Sequence, residues 1–434
     1  MYQDIQSKRI LAKGIFADND TWATGLNNND LVVGPSGGGK TRGYVVPNIL
    51  HTQESLIVAD AKGNLCRQYG RYLEKKGYKV MHLDFTDTAY TPWGYNPLAY
   101  IRECRDRDAN RDGDYYSEQD VKKVAKALCP ETNGKEPFWD QAAQMYLEAI
   151  ILFVLNLLPK EHHNLYEAYT FLTKMWSREL EHVVEEECIT HPNSAFARKI
   201  EMIRQNTKAE KMDASIRGIL AQHLDVVACS STKRMFRMKR QLDLGAFLRG
   251  KTALFLSVSD SDRRQDALIN LFNTQALQYL MAAADRRPDS RLPIPVRFLL
   301  DDFSTNTVIP DFDKIISVIR SREICVSLIV QSLSQLEGLY GHVKAQTIIN
   351  NCDHCLYLGG TDTQTAQYFA EKVNCQVSTV LNLPLDSLYL FTRGSRPQKA
   401  QKYELSRDDA YHRLMESLKG ASDEIAAGPG KEEV

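Results

Sequence analysis

Eight consecutive residues, Gly34-Pro35-Ser36-Gly37-Gly38-Gly39-Lys40-Thr41, match the pattern GxxxxGK[ST] in full. Glycines let successive backbone N–H groups turn inward around a phosphate, and a helix starting at the end of the loop aims its positive end at the same anion. Lys40 would neutralise charge on the β- and γ-phosphates, and the Thr41 hydroxyl would ligate Mg2+. All eight residues are therefore expected to cradle a nucleotide, with ATP and Mg2+ as the implied cofactors. The plainer alternative, a Gly-rich turn that only caps a helix, fits less well because the match is complete and lies between an apolar strand and a helix.

Such a loop needs a carboxylate at the end of a neighbouring strand, to hold Mg2+ away from the phosphates and to orient the attacking water. VRFLLDDF (296–303) supplies it. Asp301 would hold Mg2+ through water, and Asp302 would polarise the nucleophile. A third apolar segment, ICVSLIV (324–330), is followed by Gln331, whose amide could bond the γ-phosphate or the attacking water. Just upstream stand Arg320 and Arg322, either of which could reach a neighbouring subunit's nucleotide as an arginine finger or lie on a solvated helix face.

These residues need a frame that brings strand ends together. Short apolar segments recur at 30–34, 55–60, 78–84, 252–258, 296–300, 324–330, 354–359 and 388–393, and most read as buried parallel strands. Helical patterns at Leu65–Lys76, Arg264–Asp285, Asp311–Arg322 and Thr363–Lys372 alternate with them, which is the βαβ pattern of an α/β fold. The alternation stops between residues 101 and 245, where only helical patterns occur, the clearest at Asp140–Leu158. The expected organisation is a sheet domain over 1–100 and 246–418, an all-α insertion over 101–245 opening with an exposed charged loop (102–114), and a disordered tail over 419–434.

Composition narrows the class. The 434 residues are 43% hydrophobic and 25% charged, which excludes global disorder and a disulfide scaffold. A net charge of −1 gives no bulk attraction to nucleic acid, so a DNA site must be a local patch. The run Lys233, Arg234, Arg237, Lys239 and Arg240, with Met235 and Phe236 interleaved, is one candidate; a basic helix balanced by nearby acids is the alternative. Arg198, Lys199, Arg204, Lys208 and Lys211 form a more dilute second stretch. No base-reading motif accompanies either, so binding would be independent of sequence.

The longest apolar run, Ala149–Leu155, is too short to span a bilayer, and residues 1–20 lack a secretory h-region, so the expected compartment is the cytoplasm. Nine scattered cysteines read as reduced thiols, and the CxxC pair Cys352 and Cys355, without a second pair, reads as core rather than zinc site.

TGLNNN (24–29), GPSGGGKTRG (34–43), SLIVADAKGNL (55–65), LDDF (300–303), the stretch 309–336 and NNCDHCLYLGG (350–360) together resemble the VirD4/TraG type IV coupling proteins, the conjugative DNA-transfer ATPases. The resemblance covers roughly residues 20–100 and 245–405. It implies a RecA-like P-loop NTPase domain with a mostly parallel sheet, interrupted by an all-α domain. It also implies a hexamer at the cytoplasmic face of the plasma membrane, at the base of a type IV secretion channel, with the relaxase and its single-stranded DNA as partners. By position, Lys40 and Thr41 match the Walker A pair, Asp301 and Asp302 the Walker B pair, Gln331 the third-motif glutamine, and Arg320 the arginine acting in trans.

Three departures stand out. Asp302 occupies a position where the family usually has Glu; one methylene shorter, it implies slow hydrolysis. Lys62-Gly63-Asn64 replaces a common KGE. The N-terminal transmembrane helices usual in the family have no counterpart here, which implies either a trimmed chain or a separate membrane anchor. The related double-strand translocases of the FtsK/HerA type, and a nucleotide-gated docking protein that scarcely hydrolyses, are the competing functional expectations.

Overall fold

The structure is a computed structural model and describes residues 8–61, 63–130, 137–174, 177–207, 209–259, 262–303 and 308–427. Its centre is a nine-stranded sheet in the order β11-β10-β9-β3-β8-β7-β4-β6-β5. In chain order the strands are β3 (Asp30–Val33), β4 (Ser55–Ala61), β5 (Lys79–Asp84), β6 (Thr252–Val258), β7 (Val296–Leu300), β8 (Ile324–Val330), β9 (His354–Tyr357), β10 (Ser387–Thr392) and β11 (Gln398–Gln401). From β9 across to β5 all neighbours are parallel. At the other edge β10 runs antiparallel to both β9 and β11. A separate hairpin joins β1 (Lys8–Ala12) to β2 (Ile15–Asp18).

All eight expected strands are present, with β10 antiparallel rather than parallel. Residues of β3, β6, β7 and β8 are buried throughout, because helices cover both faces of the sheet; this is why the strands read as unbroken apolar runs. Successive side chains still alternate between faces. Leu31 and Val33 join one core, with Ile57 and Leu83, while Val32 joins the other, with Val58 and Phe255.

Between β5 and β6 the described residues form helices and turns, with two isolated bridges. The helix Phe138–Leu157 is buried around most of its circumference, as expected of a helix surrounded by others. Its Ile150 and Phe153 belong to the same continuous cluster as Leu31 and Val33, so the core of the insertion runs on into one face of the sheet.

Three local expectations are corrected. The stretch Asp311–Arg322 is a short helix, Phe312–Ile316, followed by a 3-10 turn, Arg320–Arg322, because amides there bond three residues back: Val318 N–H to the Ile315 carbonyl and Glu323 N–H to that of Arg320. The charged loop 102–114 contains a helical turn, Arg107–Arg111, capped by the Asp106 carboxylate, which accepts from Asp108 N–H. At the C-terminus the helix Asp409–Ala427 continues past residue 419; its Ala and Glu content favours helix up to the Gly-Pro-Gly at 428–430, and the rest of the expected tail lies outside the described residues.

Candidate functional site

Because the central strands are parallel, the ends of β3, β7 and β8 meet along one edge of the sheet. That edge carries Gly34, Asp301 and Gln331. The loop leaves β3 with Gly34 N–H bonded to the Val330 carbonyl at 3.1 Å, which ties it to β8. Gly37 and Gly39 adopt left-handed φ values of 74° and 88°, a backbone that other residues rarely hold. After Lys40 the chain enters a π-turn, Thr41–Val45, that runs into the helix Val46–His51. The N–H groups of this first turn therefore face the loop, as anion binding requires.

Lys40 is buried and donates from Nζ to the carbonyls of Gly34 at 2.8 Å and Pro35 at 3.0 Å. Burial lowers its ammonium below the usual lysine range, against the opposing charges of Asp302 and Asp301. Thr41 Oγ1 donates to Asp301 Oδ2 at 2.8 Å, so the loop and the end of β7 are in direct contact. Burial pushes the Asp301 carboxyl up, aided by the Asp302 charge and opposed by the Thr41 hydrogen bond and Lys40. Asp302 follows in a left-handed conformation, φ 51°, with its N–H donated to Asp301 Oδ1 at 3.1 Å. Gln331 lines a cavity of about 170 Å3 together with Pro35, Ser36, Gly360 and Asp362. Lys40, Thr41, Asp301, Asp302 and Gln331 thus gather at one place.

Arg320 does not join them. It precedes β8, whose seven residues span roughly 23 Å, and so lies at the opposite edge of the sheet. There its Nη2 donates to the Thr21 carbonyl at 3.1 Å, while Arg322 pairs with Asp285 at 2.8 Å.

Behind the loop lies a buried ionic cluster that the sequence did not announce. Asp30 receives Arg9 at 2.6 Å and the Tyr44 hydroxyl, and Arg297 lies 3.5 Å away while bonding Glu54 at 2.7 Å. Burial alone would raise the Asp30 carboxyl, but the Arg9 and Arg297 guanidiniums overcome it and hold it below the usual range. Tyr44 belongs to the turn that begins at Thr41, so the cluster fixes the back of that turn.

Lys402 was also missed. Following β11, its Nζ donates to the carbonyls of Gly38 at 2.9 Å and Leu358 at 3.0 Å, so it braces the outer side of the loop. Nothing in the local sequence QKAQKYEL distinguishes it from a surface lysine.

The basic run lies along the seam between insertion and sheet, mostly engaged. Met235 and Phe236 are buried, Lys233 sits 4.1 Å over the Tyr166 ring, and Arg240 sits 3.9 Å over that of Trp93. Arg237 pairs with Glu167, and Arg234 donates to the Ala89 carbonyl. In the second stretch Lys199 pairs with Glu148, and Lys208 lies outside the described residues. Cys352 and Cys355 are free thiols pushed up by burial, the latter to about 12, and among the described residues no cluster of metal-ligating side chains is found. Of the KGN departure, Lys62 lies outside the described residues, and Asn64 opens the helix Asn64–Lys75, whose Leu65 and Cys66 N–H groups are accepted by Asp60.

Comparison with known proteins agrees with this geometry. The family model described as "Type IV secretory system Conjugative DNA transfer" matches residues 3–402. Protein VirD4 of Rhizobium radiobacter is 23% identical over 439 residues, covering 93% of this chain and 60% of that protein. Conjugal transfer protein TraG of Escherichia coli is 24% identical over 341 residues, covering 74% of this chain and 51% of that protein. The chain therefore spans little more than half the length of these relatives. Among solved structures, the unbound bacterial conjugative coupling protein TrwBdeltaN70 superposes with a TM-score of 0.68 at 16% identity, covering 94% of this chain and 92% of that one. TrwB has also been solved with the ATP analogue ADPNP and with ADP and Mg2+. The fold is that of a RecA-like P-loop NTPase. No helix among the described residues is long and apolar enough to cross a membrane. With the family model covering nearly its whole length, the chain belongs to the conjugative DNA-transfer family of type IV secretion, the VirD4/TraG coupling proteins.

Proposed function

We propose that this coupling protein binds and hydrolyses ATP, recruits a relaxase joined to its nicked strand, and drives or gates export of single-stranded DNA through a type IV secretion channel. The observation that carries the reading is the 2.8 Å contact between the Thr41 hydroxyl and the Asp301 carboxylate. It joins, at the mouth of a phosphate loop, two hard oxygen donors of the kind that hold Mg2+. Bound Mg2+ would supply neutralisation of phosphate charge; the nucleotide and Mg2+ complexes of TrwB support the same ligands here.

In this reading Lys40 releases the Gly34 and Pro35 carbonyls and turns to the β- and γ-phosphates, while the N–H groups of the loop hold the β-phosphate. Asp302 orients the attacking water and accepts its proton, and Gln331 bonds the γ-phosphate or that water. Arg320, too distant to act in its own chain, serves the nucleotide of a neighbouring copy in a hexamer at the cytoplasmic face of the membrane. Lys239 and the exposed parts of the basic run contact DNA phosphates without reading bases.

The deciding experiment is steady-state ATP turnover without DNA, with single-stranded and with double-stranded DNA, over a protein concentration series and beside Lys40→Ala. Turnover that rises with single-stranded DNA and steepens with concentration supports the proposal. A preference for duplex would favour an FtsK/HerA-like translocase. ATP binding with turnover no faster than the Lys40→Ala control would make the protein a nucleotide-gated docking receptor.

A further inference from the structure

The helix Asp266–Asp285 packs beside the ends of β4, β6 and β7 and carries an atom that the fold leaves unsatisfied. Asn273 is 3% exposed, and its amide oxygen has no hydrogen-bond partner. A buried acceptor left without a donor is destabilising, and leucine, of similar size, would avoid that. Gln265 and Asn270 carry orphaned amide oxygens too, but Asn273 is the one that borders the acidic pair.

The space it borders is a cavity of about 20 Å3 whose wall is aliphatic on one side, from Ala59, Leu256, Val258, Ile269 and Leu300, and whose polar residues are Asn273, Asp301 and Asp302. About 10–15 Å3 suffices for one water, provided two or more polar groups receive it. The Asn273 oxygen and the two carboxylates are acceptors, and a water has two protons to donate.

The backbone explains why aspartate stands beside this space. Asp302 holds a left-handed φ of 51°, a region in which Asp is several-fold enriched over most residues. Asp302, one methylene shorter than glutamate, stands in the wall of this cavity.

We infer that Asn273 is a positioning residue of the hydrolytic centre: its amide oxygen and the Asp302 carboxylate share one buried water, which fixes the carboxylate of the shorter side chain. The inference rests on the reading of Asp302 as the group that orients the attacking water. Asn273 lies on the helix Asp266–Asp285, outside the phosphate loop and its first turn, so its effect is expected on kcat.

The test compares ATP turnover, KM for Mg-ATP and thermal unfolding of the full chain with those of Asn273→Leu, Asn273→Ala, Asn273→Ser and Lys40→Ala. Asn273→Leu is expected to turn over about 10–100-fold more slowly, with KM within about two-fold, as for other residues that act through a neighbouring ligand. Its Tm should stay close to that of the wild type, because leucine matches asparagine in size and the change leaves the sheet and its core intact. Asn273→Ser, which keeps an acceptor and room for water, should retain turnover within about three-fold. If Asn273→Leu does not fold, Asn273→Ala removes the acceptor without added bulk and must show the same split between kcat and KM. Wild-type kcat in the Leu or Ala variant, or a loss of kcat that only follows a fall in Tm, overturns the inference and leaves the hydrolysis reading standing. Wild-type turnover no faster than that of Lys40→Ala overturns both.

Discussion

The Thr41 hydroxyl and the Asp301 carboxylate are 260 residues apart in sequence and 2.8 Å apart in space. The contact closes the distance between the phosphate loop and the end of β7, and it does so with Asp301 held in a buried setting that disfavours its charge.

That setting gives a pH dependence with a definite sign. The Asp301 carboxyl is raised above its ordinary 3.8, so the folded protein holds its proton longer than the unfolded chain does. The stability it contributes is full below 3.8 and is lost as pH rises through the raised value. Asp301→Asn should therefore be more stable than the wild type at neutral pH, by thermal unfolding without nucleotide, and should lose the Mg2+-dependent part of ATP affinity. In the wild type, that part should fall away on acidification at a higher pH than for an ordinary carboxylate. An Asn variant that melts lower than the wild type at neutral pH, or keeps its Mg2+ response, would contradict this.

Lys40→Ala removes the charged donor to the phosphates. ATP binding should weaken by about 10–100-fold, corresponding to the 1.5–3 kcal/mol of a hydrogen bond to a charged group, with turnover lost. Because burial depresses the Lys40 ammonium, ATP affinity of the wild type should decline as pH rises through that lowered value, earlier than for an exposed lysine. Calorimetric titration with ATP across alkaline pH measures both effects.

Arg320→Ala should leave ATP affinity of the isolated chain within about two-fold and suppress turnover of the assembled protein by about 10³-fold or more. In the wild type, specific activity should rise with protein concentration; the variant should show no such rise. Activity loss in Arg320→Ala that is independent of concentration would count against action between copies.

Asp30→Ala leaves Arg9 and Arg297 as buried cations without their shared carboxylate. The expected loss is about 3–5 kcal/mol in urea unfolding, the range for breaking a buried ion pair by removing one partner. A loss below about 1 kcal/mol, the range of surface pairs, would mean that the cluster is solvated.

For DNA, Lys239→Ala should reduce the slope of log affinity against log salt by about 1 and weaken all sequences alike. Arg237, already paired with Glu167, should change the slope less and cost stability instead. Equal slopes for the wild type and Lys239→Ala would remove this run from the DNA interface.

The strands were legible because a parallel sheet covered on both faces needs unbroken apolar runs, as in TALFLSV of β6. β1, β2 and β11 were not; they have five, four and four residues, and β11, QKAQ, is largely exposed and has almost no apolar pattern. In the site, Gly34–Thr41 could be read locally because one loop performs one task, and Asp301, Asp302 and Gln331 could be read as residues at strand ends. Lys402 and Asn273 could not, since each reaches the site from an element whose place only the strand order decides. Which cations of the basic run are engaged was not legible for the same reason: Glu167 and Trp93, the partners of Arg237 and Arg240, lie about 70 and 147 residues upstream, on elements that fold against it.

The shared core described for the sheet and the insertion has a mechanical corollary. Leu31, next to the nucleotide loop, and Ile150, in the middle of the insertion, belong to one apolar cluster with no polar layer dividing it. Such a body melts as one cooperative unit, so a calorimetric scan of the full chain should show a single transition whose van't Hoff and calorimetric enthalpies agree. It also means that the insertion is no detachable module: cutting it away would strip one side of the sheet to water, and the remainder would aggregate rather than bind nucleotide.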